Sequence, residues 1–117
     1  GIEISAESIE IAKEGMRMAT SEAGGTAYII FKNFIVEVAG KTGSADTAQS
    51  DIVNAWFVCF APFDNPEVAI AVMIENGGHG NYAAEVARDV LTQYFGMNVV
   101  EEERESLTAI PYTEQMR

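Results

Sequence analysis

Apolar residues in the first part of the chain recur at spacings of three and four. Ile9, Ala12, Met16 and Ala19 form such a stripe, which predicts a helix from about Ala6 to Thr20 with one face buried. Ser5 is suited to cap its N-terminus, Ile4 and Ile9 are placed to form a hydrophobic staple, and Gly24-Gly25 breaks the pattern. The period then changes. Phe34 to Ala39 is a β-branched run interrupted by one charge, which predicts a strand with one partly exposed face. It leads directly into Gly40-Lys41-Thr42-Gly43-Ser44, and the small polar stretch from Ala45 to Asp51 reads as a loop.

Asn54 to Phe63 is apolar at both parities, the pattern of a strand covered on both faces. Asp64-Asn65-Pro66 is a strong turn signal. Beyond it, Val68, Ile70, Val72 and Ile74 share one face of a further strand. Ala69, Ala71 and Met73 share the other, where small side chains would let a helix pack closely. Gly77-Gly78-His79-Gly80 leads into a second helix with apolar positions Ala83, Val86, Ala87, Val90, Leu91 and Tyr94, and Gly96 sits where a C-terminal cap would. Residues 98–117 carry Glu101, Glu102, Glu103 and Glu105 with little periodicity, which predicts a loosely attached acidic tail. The predicted fold class is therefore α+β, with residues 1–97 folding as a small antiparallel sheet of three strands packed against N- and C-terminal helices.

Composition narrows the function classes. A chain of 117 residues is long enough for one core and too short for two ordinary domains. The net charge of -11 would repel phosphate backbones and anionic lipid surfaces, so no nucleic-acid partner is expected. No apolar run reaches the roughly 18 residues that a membrane span needs. The chain as given is therefore expected to be soluble, and to be either cytoplasmic or an excerpt of something larger. Its single cysteine, Cys59, cannot form a disulfide within the chain and, inside an apolar strand, reads as a core thiol.

Two motifs compete for Gly40-Lys41-Thr42. A phosphate loop would need its first glycine at position 35, which is Ile35 inside the predicted strand, and no helix follows Ser44 to present backbone N–H groups. Lys41-Thr42-Gly43 at the end of that strand instead matches the K-T-G of penicillin-recognising serine acyltransferases and hydrolases. The surroundings extend the match. Val38-Ala39-Gly40-Lys41-Thr42-Gly43-Ser44-Ala45 resembles the strand bordering the active site of class B penicillin-binding proteins. Ala55-Trp56-Phe57, Phe60-Ala61-Pro62 and Asn65-Pro66 resemble the next strand and hairpin of that family. Glu75-Asn76-Gly77-Gly78 resembles the approach to its final helix, and Glu14-Gly15-Met16 with Gly24-Gly25-Thr26-Ala27 resembles the segment before the motif. The resemblance runs from Ile4 to Gly96.

It implies part of a transpeptidase fold and part of a peptidoglycan D,D-transpeptidase, whose serine attacks the penultimate D-Ala carbonyl of a stem peptide before an amine takes the acyl group. Its implied partners are D-Ala-D-Ala stem peptides, β-lactams and the rest of the transpeptidase domain. Its implied location is outside the cytoplasmic membrane, on a parent anchored there. Lys41 would set a cation near the substrate carboxylate and the active-site hydroxyls. Thr42 and Ser44 would hydrogen-bond that carboxylate, the Ser44 N–H would be one arm of the oxyanion hole, and Gly43 would leave room for a substrate along the strand. Trp56 would either join the core or wall the cleft.

The family's other two motifs are missing. None of Ser5, Ser8, Ser21, Ser44, Ser50 or Ser106 has Lys three residues on or Asn two residues on, so S-x-x-K, with the nucleophile, and S-x-N are absent. The chain alone is expected to be inactive. Alternatives are a β-lactamase or β-lactam sensor domain, and a non-catalytic stand-alone binding module with an incidental K-T-G. No metal or cofactor is expected, because His79 has no Cys or second His to share a metal and reads as a solvated loop residue. The Glu101 to Glu105 cluster reads as a solvated segment. In the family's five-stranded sheet the two strands absent here pair beside Val68 to Ile74; without them that segment is an unprotected edge, and the chain is expected to self-associate.

Overall fold

The computed structural model describes residues 1–96. Helix α1 spans Ala6–Ser21, and the Ser5 hydroxyl accepts the Ser8 N–H at 3.1 Å as its cap. A short helix α2, Tyr28–Phe31, follows. Strands β1 (Ala39–Asp46), β2 (Val53–Ala61) and β3 (Val68–Ile74) form one antiparallel sheet in the order β1-β2-β3. Helix α3, Gly80–Tyr94, completes the described fold. Gly96, at φ +63°, is the left-handed residue that ends it.

Register assigns the sheet its two faces. Thr42 pairs with Phe57 and Phe57 with Val72, so these side chains share a face with Ala55, Cys59, Ala61, Ile70 and Ile74. Against that face α3 lays Ala83, Ala84, Ala87 and Leu91, all fully buried. The Phe57 ring stacks on Phe31 of α2 with centroids 5.7 Å apart. Burial of side chains such as Phe57 and Leu91 stabilises the fold by about 1.5–3 kcal/mol each. Gly40 passes directly beneath the Phe57 ring, where an added Cβ would lie 2.9 Å from Cε1 and overlap the end of the ring. Only glycine fits there.

Several sequence-based expectations need correction. The strand predicted over Phe34 to Ala39 begins only at Ala39 and continues through the K-T-G to Asp46, so the motif lies within β1 and not at its end. The reason is pairing: Ala39 faces Phe60, and the antiparallel register with β2 goes no further. Residues 34–38 instead form a connection, anchored by the Phe63 N–H on the Glu37 carbonyl at 2.9 Å. Strand β2 is not covered on both faces, since Trp56 and Val58 are each 40% exposed. Helix α3 packs on the branched Val68/Ile70/Val72/Ile74 face of β3, and the Ala69/Ala71/Met73 face is open. On α3 itself Val86, Val90 and Tyr94 are exposed while Ala84 is buried. On α1, Ile9 and Ala12 are exposed, and only Thr20 is fully buried. The acidic tail expected over 98–117 lies outside the described residues.

Candidate functional site

A cleft of about 420 Å³ opens beside β1, lined by Thr26, Lys41, Thr42, Gly43, Ser44, His79, Gly80 and Asn81. Among the described residues β1 is an edge of the sheet, paired only with β2, so the cleft is built on a strand whose other side has no strand partner among them. Three separate segments meet there: the loop after α1, the motif strand, and the start of α3.

Glycines make that meeting possible. Gly80 sits so close to β1 that a Cβ would lie 2.8 Å from the Thr42 Cβ and 3.0 Å from the Gly43 nitrogen. Gly25 is pressed on the end of α1, where a Cβ would approach the Met18 and Ala19 carbonyl oxygens to 2.5 Å. The adjacent Ala27 N–H bonds the Ala19 carbonyl at 2.9 Å. Thr20 then ties α1 to the approach of β1, its buried hydroxyl donating to the Val38 carbonyl.

Within the cleft, Lys41 is exposed and its Nζ donates to the Thr42 carbonyl. The Thr42 and Thr26 hydroxyls lie 2.9 Å apart, and the Ser44 hydroxyl donates to the Gly78 carbonyl at 3.1 Å. None of the eight lining residues is acidic, although the chain as a whole carries 18 acidic against 7 basic residues. The cleft therefore offers hydroxyl donors and a lysine cation with no lining carboxylate to repel an anion.

Lys41, Thr42, Gly43 and Ser44 thus come together as the sequence suggests. Trp56 does not join them. It pairs with Gly43 across the sheet, stands on the face opposite Thr42 and Ser44, and is not a lining residue; Lys41, opposite Val58, has the same parity as Trp56 but lines the cleft, its Nζ on the Thr42 carbonyl. His79 is exposed, as a solvated loop residue should be, yet it also lines the cleft, at the cap position of α3. The sequence reading gave Asn81 no role and used Thr26 only as part of a resemblance. The glycines just before each, Gly24-Gly25 and Gly77-Gly78 with Gly80, were the available signal, since such residues let segments distant in sequence approach closely. Cys59 is a core thiol whose pKa burial raises from 9.0 to about 11. Among the described residues no group of three or more His, Cys, Asp or Glu could hold a metal ion, and no helix is long and apolar enough to cross a membrane.

Comparison with known proteins places this arrangement in a family. Residues 1–92 match the penicillin binding protein transpeptidase domain. The peptidoglycan D,D-transpeptidase MrdA of Haemophilus influenzae is 33% identical over 110 residues, covering 81% of this chain and 17% of that protein. MrdA of Escherichia coli K12 is 31% identical over 96 residues, 70% of this chain and 15% of its own length. Among solved structures, Pseudomonas aeruginosa PBP2 in complex with WCK 5153 superposes with a TM-score of 0.74 at 31% identity, over 86% of this chain and 22% of that one. The chain thus spans roughly a sixth of the length of these curated relatives. With the α+β sheet, the motif strand and these similarities agreeing, the chain belongs to the penicillin-binding protein transpeptidase domain family, of which it is a part.

Proposed function

We propose that this chain supplies the substrate-recognition strand of a serine D,D-transpeptidase that cross-links peptidoglycan, acting on a stem peptide ending in D-Ala-D-Ala and open to acylation by β-lactams. The observation that carries the reading is the acid-free cleft around Lys41 on a strand with an open edge. A carboxylate at the end of an extended peptide suits that site on both counts. Its charge meets Lys41 and the Thr42 and Ser44 hydroxyls, while its backbone can run along β1 beside Gly43, which has no side chain to obstruct it.

The chemistry follows from that placement. A serine supplied by another segment of the enzyme attacks the penultimate D-Ala carbonyl. The carbonyl oxygen gains negative charge, and the Ser44 backbone N–H serves as one donor of the oxyanion hole. Collapse of the tetrahedral intermediate forms the ester to serine and releases D-Ala, which leaves with a proton on its nitrogen. An amine of a second stem then attacks the ester, regenerating the serine hydroxyl. Lys41 and the two hydroxyls act by holding the terminal carboxylate, so that the scissile carbonyl stands opposite the serine. The substrate is assembled outside the cytoplasmic membrane, which places the working enzyme there, anchored to that membrane.

Labelling with a fluorescent penicillin tests the reading. This chain alone forms no adduct that survives a denaturing gel, because it contains no S-x-x-K serine. In the complete enzyme, Lys41→Ala lowers the acylation rate about 10²-fold, the usual loss for one preorganised electrostatic group. Lys32→Ala, at an exposed position outside the cleft, leaves it unchanged. Equal effects of the two substitutions would refute the proposed role.

A further inference from the structure

Thr26 lies sixteen residues before Thr42, yet the two hydroxyls stand 2.9 Å apart inside the cleft. From this contact we infer that Thr26 is a positioning residue for carboxylate recognition, acting through the Thr42 hydroxyl. The inference rests on the reading of the Lys41 cleft as a carboxylate site and adds a residue to it.

The argument begins with proton count. A threonine hydroxyl has one proton to donate and two lone pairs to accept with. In the free chain, the Thr42 hydroxyl donates to the Thr26 hydroxyl. A carboxylate can only accept, so Thr42 must turn its single proton to the substrate when one binds. The Thr42 oxygen then accepts from Thr26, whose hydroxyl becomes the donor. The bound arrangement is a chain running from the Thr26 Oγ1–H to the Thr42 Oγ1, and from the Thr42 Oγ1–H to the carboxylate. Donation into Thr42 polarises its own O–H and strengthens the bond that it gives. A residue at 26 must therefore be able to reverse from acceptor to donor as the site fills. A hydroxyl does this, and an apolar side chain of the same shape does not.

Both ends of the pair are mechanically fixed. On the Thr26 side, the Gly25 N–H bonds the Glu22 carbonyl at 2.8 Å, the Ala27 N–H bonds the Ala19 carbonyl at 2.9 Å, and Ala27 is 1% exposed. Gly25 has no space for a side chain, which keeps the loop against the end of α1. On the other side, Thr42 sits within a paired strand with its Cβ against Gly80. Neither hydroxyl has to be brought from solution when substrate binds, so the entropic penalty of forming the chain is small.

The test uses the complete enzyme with Thr26→Val, Thr26→Ser, Thr42→Val and the Thr26→Val/Thr42→Val double variant. Acylation by a penicillin with a free carboxylate is compared with acylation by its methyl ester, and melting temperature is recorded for each protein. Thr26→Val is expected to slow reaction with the free acid about tenfold, the worth of one net hydrogen bond, with the ester changed less than about twofold. Thr26→Ser restores the rate. The double variant loses no more than Thr42→Val alone, because Thr26 acts only through Thr42. Additive losses would overturn the inference, as would a Thr26→Val enzyme that still prefers the acid as wild type does while Thr42→Val does not; in either case the carboxylate reading of the cleft would stand. If Lys41→Ala and Thr42→Val slowed acid and ester alike, both the reading and the inference would fall.

Discussion

The two faces of the sheet are made from the same strands and have opposite fates. On one, Phe57, Cys59 and Ala61 alternate into a core closed by α3, with Phe57 and Ala61 wholly buried. On the other, Trp56 and Val58 are 40% exposed and Met73 is 43% exposed, with Ala69 and Ala71 open beside them. From Trp56 to Phe60 and along β3 this second face is apolar, its polar groups being Lys41 on β1 and Asn54 near the start of β2. A sheet in water normally alternates apolar with polar residues, and apolar residues at both parities belong to strands with cover on both sides. The difference teaches that these strands are composed for a larger body than this chain supplies, in keeping with relatives several times its length.

Substitutions on the two faces should separate them. Phe57→Ala is expected to destabilise the fold by about 3–5 kcal/mol, whereas Trp56→Ala, one residue away on the bare face, changes stability by less than about 1 kcal/mol. Urea denaturation of both variants decides it, and comparable losses would erase the distinction. Thiol chemistry gives a second probe. With its pKa raised from 9.0 to about 11, Cys59 should carry about hundredfold less thiolate at pH 8 than an ordinary thiol, and alkylate correspondingly slowly. A cysteine placed on the other face, Val58→Cys in a Cys59→Ala background, should react at an ordinary rate. The same shift has a sign in stability. The unfolded chain begins to lose the Cys59 proton near pH 9 while the folded chain keeps it to about 11, so stability is full below pH 9 and falls across that interval.

How far this contrast was legible beforehand depends on what each residue had to meet. Helix α3, the β2–β3 hairpin and the Lys41-Thr42-Gly43 triplet were readable because they rest on local spacing and turn chemistry, but the buried side of α3 was not, since Val86, Val90 and Tyr94 are exposed. The limits of β1 were not. Phe34 to Val38 has strand composition, but strand formation needs a partner, and the register with β2 ends at Ala39 and Phe60. Helix α2 was missed because Tyr28–Phe31 holds β-branched and aromatic residues that favour strands, and its single turn is secured by Phe31 stacking on Phe57. The cleft divides the same way. Lys41 to Ser44 are contiguous and form a motif, whereas Thr26, His79 and Asn81 reach it only through folding. For Trp56 the sequence allows core or cleft wall, and strand parity puts it on the bare face instead.

Two smaller effects sharpen the comparison further. Gly80→Ala should cost about 1–3 kcal/mol, since its Cβ would press on Thr42 and the Trp56 carbonyl oxygen at 2.9 Å and push α3 away from the covered face. An unchanged melting temperature would show that α3 is not seated as tightly as described. The open edge of β3 and the bare face beside it should make the isolated chain self-associate. Val72 is a poor place to test this, because it pairs with Phe57 on the covered face. Ala71→Lys, on the exposed face, should weaken association about tenfold by setting a charge there. Light scattering during size-exclusion chromatography measures it, and a wild-type chain that stays monomeric at tens of micromolar would refute the expectation.

The glycine beneath the Phe57 ring has a further consequence for the cleft. Sheets can slide, and a shift of β1 by one residue along β2 would turn the Thr42 and Ser44 hydroxyls to the other side. Such a shift would also bring Ala39 or Lys41 to the place where no Cβ fits. A shift of two residues would keep the faces but bring Val38 or Thr42 there, with the same collision. Gly40 and Phe57 therefore work like a notch and pawl: a steric clash deep in the hydrophobic interior indexes the position of the polar groups at its margin. Errors of alignment at the cleft are rejected by the core before any ligand arrives.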